Sequence, residues 1–387
     1  MSQKTDKPAR PPGGPRKKPR GLFMKQPVML RVVYALIPVG VAGIYFFGWR
    51  VLAIVATVAA VGLATEYLTA RQRGQAISMA CFVTCLLYAL SLPPTVPLWV
   101  AGVGVAFGLL FGKEVFGGFG RNFANPAIVG RTFVYICFPT DLTGRFVPAF
   151  RGFPTGFGHW SFESLDNVPA YLRGAVDGVH DAITQASPMW VGREYGLDAV
   201  RNAGAGASIW DMMLGSISGL WQAPDRPAAA LAAGSIGEGC GVLIVLAGVY
   251  LLATRTANWR LMLSGLAGVL AANGLFRNLL GFDGPGEVPP VLWQLFAGTT
   301  LYAVVFMVTD PVSATKRRPA QFAYGFFIGF LVVVLRWRGI FVAAASFSIL
   351  MGNLVGPWLD LGAEAWEQRR KARAASSRPA AKGGQPA

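Results

Sequence analysis

The sequence predicts an all-α polytopic membrane protein. It should hold about ten transmembrane helices in two pseudo-repeated halves, with a long extracytoplasmic loop region. Three observations point there. Hydrophobic residues make up 53% of the chain and charged residues only 14%, against about 25% charged in ordinary soluble domains. The apolar residues gather in long runs, most of them near the roughly 20 residues a helix needs to cross a bilayer. Basic residues cluster between alternate runs, as the positive-inside rule requires. The weak alternation of a transmembrane barrel is absent.

The chain opens on residues 1–27, which hold eight Lys or Arg and one acid. Pro and Gly are frequent and apolar side chains scarce, so this segment is predicted to be a disordered basic cytoplasmic tail. The net charge of +16 invites a nucleic-acid reading. A topological one fits better, because basic segments beside membrane spans are held in the cytoplasm and can also meet anionic lipid. No nucleic-acid partner is expected. The first apolar stretch is long and lacks a small-residue cleavage site, so no cleavable signal peptide is expected.

Apolar runs follow at about 28–48, 51–68, 75–92, 96–112 and 126–139, the last of them short. These make a first transmembrane half, 28–139. Residues 140–235 are predicted to be an extracytoplasmic loop region rich in Gly, aromatics and Arg. Runs at about 236–253, 261–280, 291–308, 320–336 and 339–358 make a second half, 236–359. Residues 360–387 are predicted to be a second disordered basic cytoplasmic tail.

Charge supports this order. With the first tail in the cytoplasm, the connections on that side carry Arg71 and Arg73, Lys113 and Arg121, Arg255 and Arg260, and Lys316 to Arg318. The final tail carries Arg369, Arg370 and Lys371. The outer connection 91–97 has no charge, and 281–290 has only acids. Both termini are therefore expected in the cytoplasm, in a bacterial inner membrane. Arg50 and the Arg336/Arg338 pair stand on the wrong side of this pattern.

Cys81, Cys85, Cys137 and Cys240 all lie in apolar runs without further ligands nearby, so they read as packing residues and no metal site is expected. His159 and His180 lie in the loop with no evident partner, and no hydrolytic set is visible.

Four segments carry candidate chemistry. Asp181-Ala-Ile-Thr184-Gln-Ala186-Ser187 matches the Asp-x-x-(Ser/Thr)-x-Ala-(Thr/Ser) pattern on which a flavin transferase esterifies FMN to the last hydroxyl; a capped loop turn is the competing reading. Lys113–Ala127 contains Gly117, Gly118 and Gly120, which let backbone approach a flat ligand. In the same segment Arg121 and Asn122 supply fixed donors; close packing through small residues is the alternative. Gly234-Ser-Ile-Gly-Glu238 and Thr309-Asp-Pro-Val-Ser-Ala-Thr315 place Glu238 and Asp310 at or in apolar spans, where carboxylates are costly and often functional. Snorkelling, or capping of a turn, competes at each. Asn125-Pro126 and Asp310-Pro311 also occupy equivalent points of the two halves. Pro opens a helix at such points. Paired broken helices point to a site near a pseudo-symmetry axis, although two ordinary caps would look the same.

Together these four segments resemble a family of membrane flavoproteins. It comprises the B subunit of the sodium-translocating NADH:quinone reductase (Nqr) and the D subunit of the Rnf electron-transport complex. The resemblance runs from about residue 28 to 360. It implies an oxidoreductase subunit active only within its complex. Covalent FMN on Ser187 and a non-covalent riboflavin would relay electrons from an extracytoplasmic flavoprotein subunit. The route would end at quinone or a partner subunit, with ion translocation. The resemblance places the second flavin and quinone near Gly117, Gly118, Gly120, Arg121, Asn122 and Asn125. It links Glu238 and Asp310 to cofactors or the ion route. Ser187 stands where the family most often has Thr, Gln185 where it has Gly, and Gly239-Cys240 where it has Thr-Ser. The rival readings are a flavin relay that pumps no ion and a secondary transporter.

Overall fold

The computed structural model describes residues 22–143, 147, 149–150, 155–163, 213, 234–284, 287–296, 298–339 and 343–376. The first half contains α1 (Pro27–Phe47), α2 (Arg50–Gln72), α3 (Ala80–Leu90), α4 (Leu98–Leu109), α5 (Pro126–Cys137) and the short α6 (Pro139–Thr143). α4 runs directly into a π-helical segment, Leu110–Glu114. A two-residue parallel pair, β1 (Phe23–Met24) with β2 (Ile77–Ser78), ties the start of the chain to the α2–α3 connection. The second half begins with a 3-10 turn, Ile236–Glu238. Then come α7 (Gly241–Ala253), α8 (Trp259–Asn273), α9 (Val291–Phe296), α10 (Thr300–Tyr302), α11 (Arg318–Arg338) and α12 (Ala344–Ser376). π-helical segments extend α8 through Gly274–Leu279 and α10 through Ala303–Met307.

Helix thus forms within every apolar run. Four of the resulting helices are long and apolar enough to cross a membrane: Pro27–Phe47, Arg50–Gln72, Trp259–Leu279 and Arg318–Arg338. α3, α5 and α7 are shorter, with 11, 12 and 13 residues. At about 1.5 Å per residue each falls well short of the roughly 30 Å hydrocarbon core.

One buried apolar cluster runs through both halves, from Leu36, Ile54, Tyr88 and Leu109 to Val304, Met307, Ile328 and Ile349. Outward faces are apolar as well: Ile37, Val41, Leu68, Val249, Leu263 and Leu270 are all exposed. A helix apolar on both sides is stable where its surroundings are lipid. α8 and α11 cross closely because Gly325 and Gly329 face the backbone of Leu261 and Gly265, where no side chain would fit.

Three expectations need correction, and two exceptions to the charge pattern find a cause. The basic tail expected from residue 360 is helical through Ser376. The stretch is rich in Ala, Glu, Gln, Arg and Lys, which favour helix. It is pinned from outside as well: Asp360 accepts from the backbone N–H of Lys316 (3.1 Å) and Arg317 (3.0 Å), and Arg317 pairs with Glu364 and Glu367 at 2.9 Å each. Arg50 and Arg336, the exceptions to the charge pattern, are buried. Arg50 donates to the carbonyls of Pro94 and Val96, and Arg336 to that of Gln294. Their charge is spent on internal carbonyls, so it does not mark a side of the membrane. Cys137 is exposed and not a buried packing residue. His159 does have a partner, Glu163 Oε2 at 2.9 Å, one turn later.

Candidate functional site

Two helix breaks meet at one place. Asn125 is the N-cap of α5: its side chain accepts the N–H of Ala127 at 3.0 Å, and Pro126 fills the first helical position, where no amide donor is needed. In the second half the π segment Ala303–Met307 ends at Val308, whose N–H donates to Ala303 O at 2.8 Å. Asp310 then stops the chain turning as helix. Its Oδ1 accepts from Val312 N at 3.0 Å and its Oδ2 from Ser313 Oγ at 2.7 Å. Both Asx-Pro pairs are therefore caps, and both face the same cleft. The cleft is walled by α1, α3 and Phe306, and Thr84, Asn122, Asn125, Thr256, Thr309 and Asp310 supply its polar lining. Asn122 Oδ1 is buried with no hydrogen-bond partner. An orphan acceptor in a cleft calls for a donor from a ligand or water. π-helical turns beside it are common marks of functional sites.

The glycine segment lies next to this cleft without lining it. Gly117, Gly118 and Gly120 take φ of 108°, 88° and 84°, a left-handed conformation that side chains resist. Gly117 and Gly118 donate their N–H groups back to Glu114 and Lys113 carbonyls, at 3.0 and 3.1 Å. A Cβ on Gly118 would stand 3.2 Å from Arg73 and 3.3 Å from Gln75. Arg121 is exposed, with its aliphatic stem beside Gly117.

Beneath this segment lies a charged network that sequence reading missed. Lys113 Nζ donates to Glu66 Oε2 at 2.5 Å and to Ser78 Oγ at 2.8 Å. Glu66 Oε1 accepts from Ser78 N (2.8 Å) and Oγ (2.7 Å). Glu114 accepts from Thr69 at 2.9 Å and pairs with Arg73. The Lys113 and Glu66 side chains are 1% and 4% exposed. Two acids and two bases balance here, which makes burial tolerable. One signal could have found it: Glu66 is a lone acid inside the second apolar run.

Glu238 lies elsewhere, beside Ser235 at the entry to the second half. It is within electrostatic reach of Arg131 on α5 and Arg336 on α11. Arg131, another charge inside an apolar run, is a second residue that the sequence could have flagged. Of the sequence-derived candidates, the structure brings Asn122, Asn125 and Asp310 together. It sets Gly117, Gly118, Gly120 and Arg121 alongside and Glu238 apart. Asp181, Thr184, Ala186 and Ser187 lie outside the described residues.

Over most of its length the chain is similar in sequence to known proteins. Residues 24–365 match the model of the NQR2, RnfD, RnfE family. The chain is similar to the B subunit of the Na(+)-translocating NADH-quinone reductase of Chromohalobacter salexigens, 34% identical over 83% of this chain and 67% of that protein. It is 35% identical to the protein of the same name from Azotobacter vinelandii, over 76% of this chain and 62% of that one. For the Neisseria meningitidis serogroup A protein the figures are 34%, 86% and 72%. The chain thus spans between 62% and 72% of these relatives' length. Matched across residues 24–365, most of its length, this chain belongs to the NQR2, RnfD, RnfE family.

Proposed function

We propose that this chain is the flavinylated membrane component of an Nqr/Rnf-type electron-transport complex, and that it crosses the inner membrane ten times with both termini in the cytoplasm. In this reading it relays electrons from an extracytoplasmic flavoprotein, through covalent FMN on Ser187 and a second flavin, toward quinone or a partner subunit. A flavin transferase attaches the FMN at the Asp181-x-x-Thr184-x-Ala186-Ser187 motif. The observation that carries the proposal is the shared cleft. It brings the Asn-Pro break of one half against the Asp-Pro break of the other, as an inverted or parallel repeat with a central site requires.

The lining suits a flat, weakly polar group such as riboflavin: apolar walls with a few fixed polar atoms. Asn122, with its orphan Oδ1, and Asn125 would hold its polar edge. When bound, a flavin supplies one- and two-electron redox chemistry, and the protein contributes binding, orientation and field. Pro126 and Pro311 leave both caps rigid, so Asn125 and Asp310 keep fixed positions across the cleft. Asp310 uses one lone pair on each oxygen for its turn. Each oxygen keeps another free to receive a cation or a donor. The relatives' names specify sodium translocation, and Asp310 is the residue we assign to that coupling. Stopped-flow reduction and reoxidation of the purified complex, with Asp310→Asn and Asn122→Ala, tests the assignment. Asn122→Ala should disturb occupancy of the second flavin, and Asp310→Asn should lower sodium stimulation while electron transfer persists. Wild-type flavin content and sodium response in both variants would remove the cleft from the mechanism.

A further inference from the structure

The last helix keeps its acids and its bases apart along its length. Asp360, Glu364 and Glu367 are all committed to the turn before α11. Asp360 accepts from Lys316 N and Arg317 N, and Arg317 pairs with Glu364 and Glu367 at 2.9 Å each. Ala363, on the same stripe, is buried. One row of side chains at helical spacing thus holds α12 against the body of the protein. The next turn carries Arg369, Arg370 and Lys371, and all three are exposed. None of the three has an acidic partner among the described residues. The turn that α12 docks on exposes Lys316 and Arg318 as well, so bases stand on both sides of the contact.

Adjacent like charges repel, and the helix itself does not call for these. It runs on to Ser376, so they lie short of the last turn, where the helix dipole favours cations. What precedes them is apolar and exposed: Met351, Leu354, Trp358 and Leu361, an outward face suited to lipid. Trp366 is exposed too, with the Arg370 guanidinium 5.5 Å from the centre of its ring. Tryptophan favours the membrane–water boundary, because its ring is apolar and its N–H is polar. From Leu361 to Arg369 is eight residues, about 12 Å of helix, and the headgroup layer accounts for about 5–7 Å of that. Helical side chains lean back toward the N-terminus, as Arg370 does toward Trp366 one turn earlier. Their long stems therefore return the charged groups toward the depth of the phosphates.

We propose that Arg369, Arg370 and Lys371, with Trp366, form a docking surface for the anionic phospholipid headgroups of the membrane that this chain spans. Two observations select that occupant. Three cations without acids complement a layer of phosphates, and the surface continues the exposed apolar face of α12, which sets it against the bilayer. On the ten-span reading proposed above, α12 is the last crossing and the surface meets the cytoplasmic leaflet. The choice of leaflet rests on that reading, and the contact with lipid does not.

The test follows amide hydrogen exchange of the full chain in two kinds of nanodisc, phosphatidylcholine alone and phosphatidylcholine with phosphatidylglycerol. Nanodiscs present both leaflets, so the readout does not depend on which side the C-terminus faces. A reporter fused at the C-terminus decides the side separately. An external reporter beside an intact phosphatidylglycerol effect would correct the leaflet and leave the docking standing. Each base held at an anionic surface should slow local opening by about fivefold. Phosphatidylglycerol should therefore slow exchange across residues 366–373 in the wild-type protein, and high salt should cancel the effect. Arg369→Gln combined with Arg370→Gln should cut the effect about thirtyfold, whereas Arg369→Lys with Arg370→Lys should keep most of it. Exchange across residues 344–358 should not respond to the lipid, and damage to the fold would speed it in both nanodiscs alike. The wild-type comparison stands even if a variant is damaged. Equal exchange in the two lipids for the wild type would overturn the proposal, as would an effect undiminished in the Gln pair. Protection that appears only with the partner subunits present, whatever the lipid, would assign the surface to a protein and overturn it too.

Discussion

Replacing Lys113 by Met removes the cation that pairs with Glu66 while keeping a side chain of similar length. In the native protein Lys113 Nζ lies 2.5 Å from Glu66, 2.8 Å from Ser78 and 3.6 Å from Glu114. Glu114 keeps Arg73 and Thr69. Glu66 keeps the two Ser78 donors, which satisfy hydrogen bonding and leave the charge uncompensated. Removing one partner of a buried pair costs about 3–5 kcal/mol, and the remaining Ser78 bonds argue for the lower end, about 3 kcal/mol. Adding Glu66→Gln removes the stranded charge, so the double variant should recover about 2 kcal/mol of that loss. Reversible SDS unfolding in mixed micelles, followed by circular dichroism, measures both. A Lys113→Met protein within about 0.5 kcal/mol of wild type, or a double variant that loses the full sum of the single losses, would refute the reasoning.

Gly118→Ala should leave Ser187 flavinylation intact and slow reoxidation of that flavin. A φ of 88° costs an L-residue about 1–2 kcal/mol, and the new methyl meets Arg73 and Gln75. Stopped-flow reoxidation checks this, and wild-type rates would make the segment purely structural. Arg121→Ala should slow the same step through loss of a fixed cationic donor, read in the same assay. Reporter fusions after Arg73 and at the C-terminus should behave as cytoplasmic, and one after Tyr171 as external; a cytoplasmic signal at Tyr171 would overturn the ten-span topology.

The helices were readable because long apolar runs leave the backbone one way to satisfy itself in lipid. The run at 28–48 became Pro27–Phe47, and that at 51–68 became Arg50–Gln72. Asn125 and Asp310 were readable for a related reason, since an Asx-Pro pair at the edge of an apolar run marks a break or a cap, and both proved to be caps. Features that depend on distant partners were not. Nothing near Glu66 in sequence announces Lys113, 47 positions away. Arg50 and Arg336 looked like topological signals because the carbonyls that bury them come from other segments. The helix continuing to Ser376 depends on Arg317 reaching Glu364 and Glu367 across about 50 residues of chain. The π turns at Leu110–Glu114 and Ala303–Met307 have no composition of their own. They arise where an extra residue is accommodated within a packed helix.

The central claim is that Ser187 carries FMN, and intact-mass spectrometry of the chain co-expressed with a flavin transferase tests it most directly. The account predicts a mass increase of one FMN less one water, with matching flavin fluorescence in a denaturing gel. Both should vanish in Ser187→Ala, and Thr184→Ala should only weaken them. An unmodified wild-type mass, beside a transferase shown to be active on another substrate, would contradict it, and so would an increase that persists in Ser187→Ala.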